Sequence, residues 1–543
     1  MKLMKKYIIL WVLAVGMIAC SGQNEPEQGG NTPSNDTTVV TPTDTTITTT
    51  DTIRITWSGS SASITGSHEG VTVTATNGYV TVNSTVKDIT YLLSGTGKGQ
   101  LTIYGTNRHQ LILSNLSLTC SDGPAINNQC KKSCFVLLQG TNSLTDGSTY
   151  VSSDEDRKAA FFSEGQMIFS GNGSLTVSGN YKHAIASDDY IQFTESTGSL
   201  TLKAASDGIH ANDALYFEGG TFAITAGSDG VQCDSTITIA GGNLTINATA
   251  DGIQSDTANV IISGGQVTIT KAGDKGITAF GDITISGGSI DITSAYKCLK
   301  AGKAEGSGWY KKVISDGSIT ISGGTIKAIC TTQSKSSSPE AIEAKGTITI
   351  TGGNVYASSY DDAINSGGDM TISGGCVMAY ATNNDGLDAN GNLYIKGGLV
   401  YAIGSTSPEM AIDANSEEGK KVYITGGAII CIGNIENGAS ITGGTAKQTT
   451  SWNGDKWYAL YDGSELVAAF QTPTKSNTSG GGWGGGGGGS QKLVVYTAST
   501  PALQSNVTAG GTAILNGMVY YPATASGGST VSLSTYSSSG GRP

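Results

Sequence analysis

The chain has 543 residues, 78 of them glycine and only 14% charged, with a formal net charge of −12. So acidic a balance excludes a nucleic-acid partner, which would need a basic stripe. Length alone suggests several domains, but the text between Ala205 and Ile430 repeats about every 22 residues, the mark of a solenoid that grows along one axis without enlarging its core.

In chain order, Lys2, Lys5 and Lys6 precede the apolar run Tyr7 to Ile18, which is too short and wrongly flanked for a membrane span. The run ends in Met17-Ile18-Ala19-Cys20, which resembles the lipobox of bacterial lipoproteins. Residues 1–20 are therefore expected to be a lipoprotein signal peptide, with Cys20 the lipidated first residue of the exported protein. Residues 21–51, rich in Thr, Asn, Gln, Pro and Asp, read as a disordered tether. Residues 52–150 are strand-like and less regular, an N-terminal cap with the first irregular coils.

Regular coils fill residues 151–440. In Ile237-Thr-Ile-Ala-Gly-Gly-Asn-Leu-Thr-Ile246 the apolar residues alternate with polar ones, the period of a strand with one buried face. Gly-Gly pairs recur at Gly219, Gly241, Gly264, Gly287, Gly323, Gly352, Gly374, Gly397 and Gly426, where glycine supplies the positive φ of a sharp corner. The expected fold is all-β: a parallel β-helix of about 22-residue coils, right-handed by default, whose neighbours bury what one coil cannot. Residues 441–543 form the C-terminal cap and carry the Gly-rich loop 479–490.

Most coils place an acidic residue at one turn, as in Ser206-Asp207-Gly208-Ile209. The column reads Asp207, Asp229, Asp251, then Lys275 and Lys297, then Glu340, Asp362 and Asp385, with Asp274, Asp361 and Glu409 one place earlier. Asp-Gly is a good turn dipeptide, yet asparagine would serve a turn without charge. Carboxylates about 4.8 Å apart repel by roughly 3–4 kcal/mol at an effective dielectric of 20, or about 1 in water. Side-chain carboxylates with turn carbonyls are what Ca²⁺ prefers, so Asp207, Asp229, Asp251, Asp274, Asp362 and Asp385 are candidate calcium ligands; solvated turn aspartates are the plainer alternative. Lys275 and Lys297, with Lys300 three residues on, either neutralise the stack or include a base able to take the C5 proton of a uronic acid held by the metal.

On the strand after Gly-Gly, outward positions become Tyr356, Met378 and Tyr401, flanked by Tyr380. Tyr356, Tyr380 and Tyr401 are candidates to stack on sugar rings, unless the C-terminal segment with Trp452, Trp457 and Trp483 covers them. Of the eight cysteines after Cys20, Cys431 reads as an apolar filler and Cys298 stands in a column of Gly and Ala, while Cys120, Cys130 and Cys134 leave room for one bridge. No Cys or His spacing suggests zinc.

The run Asn180-Tyr-Lys-His183-Ala-Ile, then Ser206-Asp-Gly-Ile-His210-Ala-Asn-Asp213, the Gly-Gly coils and the Gly-rich loop together resemble the carbohydrate-binding β-helix family first described from a cellulolytic clostridium and common among Bacteroidetes lipoproteins. The resemblance spans about residues 52–543. It implies a right-handed parallel β-helix with bound calcium, affinity for cellulose-like and acidic plant polysaccharides, and kinship with family 9 polysaccharide lyases. By analogy with those lyases, calcium would fall to Asp207, Asp229 and Asp251 and the base to Lys275 or Lys297. The expected function is non-catalytic capture of polysaccharide by a calcium-bearing lipoprotein of the outer membrane or cell surface, held to the membrane by its lipid anchor only. A calcium-dependent pectate-type lyase and a structural or adhesive solenoid are the alternatives.

Overall fold

The computed structural model describes residues 51–306, 312–334, 337–406, 409–475 and 491–537. The chain divides into two units, Met1–Thr41 and Pro42–Pro543, and every described residue lies in the second. The signal peptide, Cys20, the tether as far as residue 50 and the Gly-rich loop 479–490 lie outside the described residues.

Each coil contributes three short strands. In one coil these are Ile209–Ala211, Ala214–Phe217 and Thr221–Ala226; in the next, Val231–Cys233, Thr236–Ile239 and Asn243–Ala248. All three pairs are parallel and in register, with Ile209 opposite Val231, Leu215 opposite Ile237 and Phe222 opposite Leu244. The first strand of each coil builds a sheet of 15 strands, and the other two merge into a sheet of 32. The alternation seen in the sequence is the reason: Leu244 and Ile246 point into the bore, while Asn243 and Thr245 are exposed. Stacked aliphatic columns fill the bore, joined toward the N-terminal end by Phe169, Phe193 and Phe217, whose rings stack with centroids 5.0 and 5.1 Å apart.

Within residues 52–150, Thr52–Gly59 already pairs in parallel with Ile89–Lys98, and only Ser61–Thr65 and Val71–Thr76 turn back antiparallel. At the other end Ser440–Ile441 makes the last parallel pairing, and Leu493–Thr497 closes the helix antiparallel to Ala428–Ile432. A six-stranded antiparallel sheet completes the C-terminal cap. The eight cysteines after Cys20 are free and buried, so Cys120, Cys130 and Cys134 form no bridge, and Cys431 and Cys298 are packing groups of the bore.

Candidate functional site

The register turns the acidic turn into a real column. Lys275 is opposite Lys297, and the neighbouring pairs Ile253–Ile277, Leu299–Ile342 and Leu387–Ile412 carry Asp251, Glu340, Asp385 and Met410 into the same line. One coil upstream, Ile185 opposite Ile209 places His183 at its head, directly before Asp207. A second column lies beside it. The middle residue of each short strand on the 15-stranded sheet faces outward, and these read His210, Gln232, Gln254, Thr278, Lys300, Glu343, Asn365, Asp388 and Asp413. This second column is not legible in the sequence, because a single polar residue between two apolar ones is what any half-buried strand shows.

The turn aspartates are bound into the backbone. Asp229 N–H donates to Asp207 Oδ1 at 3.1 Å, Asp251 N–H to Asp229 Oδ1 at 2.7 Å, and Lys275 N–H to Asp251 Oδ1 at 2.8 Å. Further on, Asp385 N–H donates to Asp362 Oδ1 at 3.0 Å and Met410 N–H to Asp385 Oδ1. Each carboxylate thus satisfies the turn amide of the following coil, an amide that burial would otherwise orphan. Another turn uses the same device without needing charge: Asp282 N–H donates to Asn259 Oδ1, Ser318 N–H to Asp282 Oδ1 and Thr347 N–H to Ser318 Oγ.

Of the candidate calcium ligands, Asp207, Asp229, Asp251 and Asp274 do not converge on one point. Asp207 faces two imidazoles, with His183 Nδ1 at 3.0 Å and His210 Nδ1 at 3.5 Å from its Oδ2. Burial would raise its carboxyl, but the two histidines outweigh burial and hold it below the ordinary range. Asp251 lies 3.6 Å from Lys275 Nζ, and Asp274, half-exposed, pairs with the same ammonium. Histidine and lysine therefore compensate the two ends of this stack.

The later stack is different. Asp385, Asp388 and Asp413 bring one ligand atom each within 4.8 Å of one another, and Asp413 Oδ1 is buried with no hydrogen-bond partner. Burial and the neighbouring carboxylates push Asp388 well up, and burial with a bond to Glu436 pushes Asp413 up to about 10. Three carboxylates gathered this closely, with no lysine or arginine in an ion pair with Asp388 or Asp413 among the described residues, offer the oxygen donors that a hard divalent cation such as Ca²⁺ takes. Asp385 was among the expected ligands and Asp362 adjoins them on the preceding coil, but Asp388 and Asp413 were not foreseen.

The lysines divide into paired and unpaired. Lys297 Nζ is held by Glu340 Oε2 at 2.7 Å, Ser338 O at 2.7 Å and Glu343 Oε2 at 3.1 Å. Burial would lower Lys297, and the two glutamates raise it; burial likewise lowers Lys275, and Asp251 and Asp274 raise it. Both expected bases are thus locked as ammonium ions. Lys300 is the reverse case. Burial lowers its pKa, Glu343 opposes this, and the charges of Lys275, Lys345 and Lys297 lower it further. An open cleft of about 220 Å³ lies over it, lined by Asp251, Gln254, Lys275, Thr278, Phe280 and Lys303, beside the hairpin Lys303–Glu305 and Lys312–Ser315.

The tyrosines expected to stack on sugar do not face solvent. Tyr356 and Tyr401 are buried, and the Tyr401 hydroxyl donates to Gln471 O at 2.9 Å. They pack with Met378, Trp452, Tyr458 and Phe470 beneath the C-terminal cap, and Tyr380 lies partly buried against the same cluster. An apolar face this large must be covered, and the cap covers it. Among the described residues the most exposed tyrosines are Tyr79, Tyr104 and Tyr181 toward the N-terminal end and Tyr521 in the C-terminal cap.

A family model described as "Carbohydrate-binding domain-containing protein" matches residues 76–304 and 274–386. No curated protein matches the chain. A solved structure described as that of the polysaccharide lyase-like protein from C. thermocellum, a gadolinium derivative, is 20% identical over 52% of this chain and 95% of that one, with a TM-score of 0.29.

Proposed function

We propose, since this chain belongs to the carbohydrate-binding domain-containing protein family, that it captures polysaccharide on the outer face of the 15-stranded sheet without cleaving it. The observation that carries this reading is the cleft over Lys300, whose ammonium has no carboxylate within ion-pair distance among the described residues. An acidic sugar supplies the missing carboxylate, and Gln254 and Thr278 on the two preceding coils offer hydroxyl-binding groups in line with it. Ca²⁺ at Asp385, Asp388 and Asp413 would neutralise that end of the column and stiffen it. Cys20 would anchor the protein to an outer membrane or cell surface through lipid alone; a Cys20→Ala variant that still sediments with membranes would remove that part of the reading.

Affinity electrophoresis in gels containing polygalacturonate or a neutral β-glucan, each with and without Ca²⁺, tests the site. Lys300→Ala is expected to weaken retention by polygalacturonate about tenfold, the weight of one charge-assisted hydrogen bond, and to leave the neutral glycan unaffected. Retention equal to wild type in the acidic gel would overturn it.

A lyase is the second reading, and Lys300 is what favours it. In place of Lys275 or Lys297, the ammonium with the lowered pKa would supply the base. Its neutral amine would take the C5 proton of a uronic acid, the C–H pair would form the C4–C5 double bond, and the C4 oxygen would leave with its bonding pair. An ultraviolet-absorbing product formed by wild type but not by Lys300→Ala would replace binding by cleavage.

A further inference from the structure

We propose that His183, Asp207 and His210 form a binding site for a zinc-like divalent transition-metal ion, separate from the calcium reading of the later stack. The three ligand atoms, two imidazole Nδ1 and one carboxylate oxygen, lie within 4.8 Å of one another. Their spacing suits such an ion. Ligands each about 2.0–2.1 Å from a tetrahedral zinc stand about 3.3 Å apart, and the two measured separations from Asp207 Oδ2, 3.0 and 3.5 Å, bracket that value.

A second observation points the same way. His183 is only 1% exposed, yet neither of its ring nitrogens completes a hydrogen bond, and His210 Nδ1 is likewise buried and unsatisfied. The Nδ1 atoms lie 3.0 and 3.5 Å from the carboxylate oxygen without the alignment of a hydrogen bond, so both remain available as ligand atoms. Two imidazole nitrogens select a borderline ion such as Zn²⁺ over Ca²⁺, which takes oxygen donors. The backbone holds the donors in place. His183 opens the strand His183–Ser187, Asp207 occupies the next position of the same column, and Asp229 N–H fixes the other carboxylate oxygen. The imidazole rings stack 4.5 Å apart at 22°, and both Nδ1 atoms stand on the side of Asp207 Oδ2; a small rotation of the rings about χ2 aims both lone pairs at one ion. Three protein ligands leave a fourth position for water or a ligand group.

Isothermal titration of the full chain with ZnCl₂ and separately with CaCl₂, with metal content measured after dialysis, tests the site. Wild type is expected to retain one equivalent of zinc that Ca²⁺ does not displace. His210→Ala and His210→Asn, checked for fold by circular dichroism, should bind zinc at least about tenfold more weakly. Asp388→Asn should bind zinc as wild type does, which separates this site from the acidic triad. Absence of retained zinc in wild type, or unchanged affinity in both His210 variants, would overturn the proposal.

Discussion

Asp229 stands between two other carboxylates of its column, and burial together with their charges pushes its carboxyl up to about 6 from an ordinary value of 3.8. A raised carboxyl stabilises the fold fully below pH 3.8, and that contribution is lost as the pH rises through about 6; at pH 7 the charge is a net burden. Asp229→Asn keeps an oxygen to accept the Asp251 amide and removes the charge. We expect it to stabilise the protein at pH 7 by about 1–2 kcal/mol, allowing for partial solvent screening, and to change little at pH 4. Thermal melts at the two pH values, in chelator, decide this, and an equal shift at both would refute it. The sequence showed the column but not what each member faces. Asp207, Asp229 and Asp251 look alike as text, yet one meets histidine, one meets carboxylates and one meets lysine, because each partner comes from another coil or from an adjoining position.

The Gly-Gly corners show where reading a single element succeeds and where it stops. A positive φ was expected of the pair, and it belongs to the second residue, as at Gly353 with φ +83°. The first glycine is required for another reason: a Cβ on Gly352 would come 2.3 Å from Ser322 O of the preceding coil. Gly352→Ala must therefore push two coils apart, and we expect a loss of about 2–3 kcal/mol. Gly419→Ala meets no atom within 4 Å and bears only backbone strain from φ +77°, about 1 kcal/mol. Equal falls in melting temperature for the two variants would show that the close approach is unimportant. Alternation, corner glycines and period were legible because each is local to one coil. The acidic triad was not, since Asp388 and Asp413 sit mid-strand and meet only through stacking. Lys300 was visible beside Lys275 and Lys297, but its lack of a partner depends on Glu340 and Glu343, which reach Lys297 across an insertion that separates Leu299 from Ile342.

Over the whole molecule, the C-terminal cap is more than a plug at the end of the bore. It covers the outer face of the last coils with Trp452, Tyr458, Phe470 and Leu515, the alternative that the sequence offered for Tyr356, Tyr380 and Tyr401. Deleting residues 450–543 would bare Tyr401, Met378 and Ile430 and leave Ala428–Ile432 as an unpaired edge. We expect such a truncated chain to aggregate; a monodisperse monomer by size-exclusion chromatography would show that the helix closes itself. The amide bonds of the turn aspartates carry a further consequence, because those of Asp207, Asp229, Asp251 and Asp362 run one way: each carboxylate accepts the turn amide of the coil that follows it. Synthesis runs in the same sense. A turn that follows one of these aspartates leaves the ribosome to find its acceptor already standing on the coil just built, which favours lengthening of the solenoid coil by coil while the rest of the chain is still unmade.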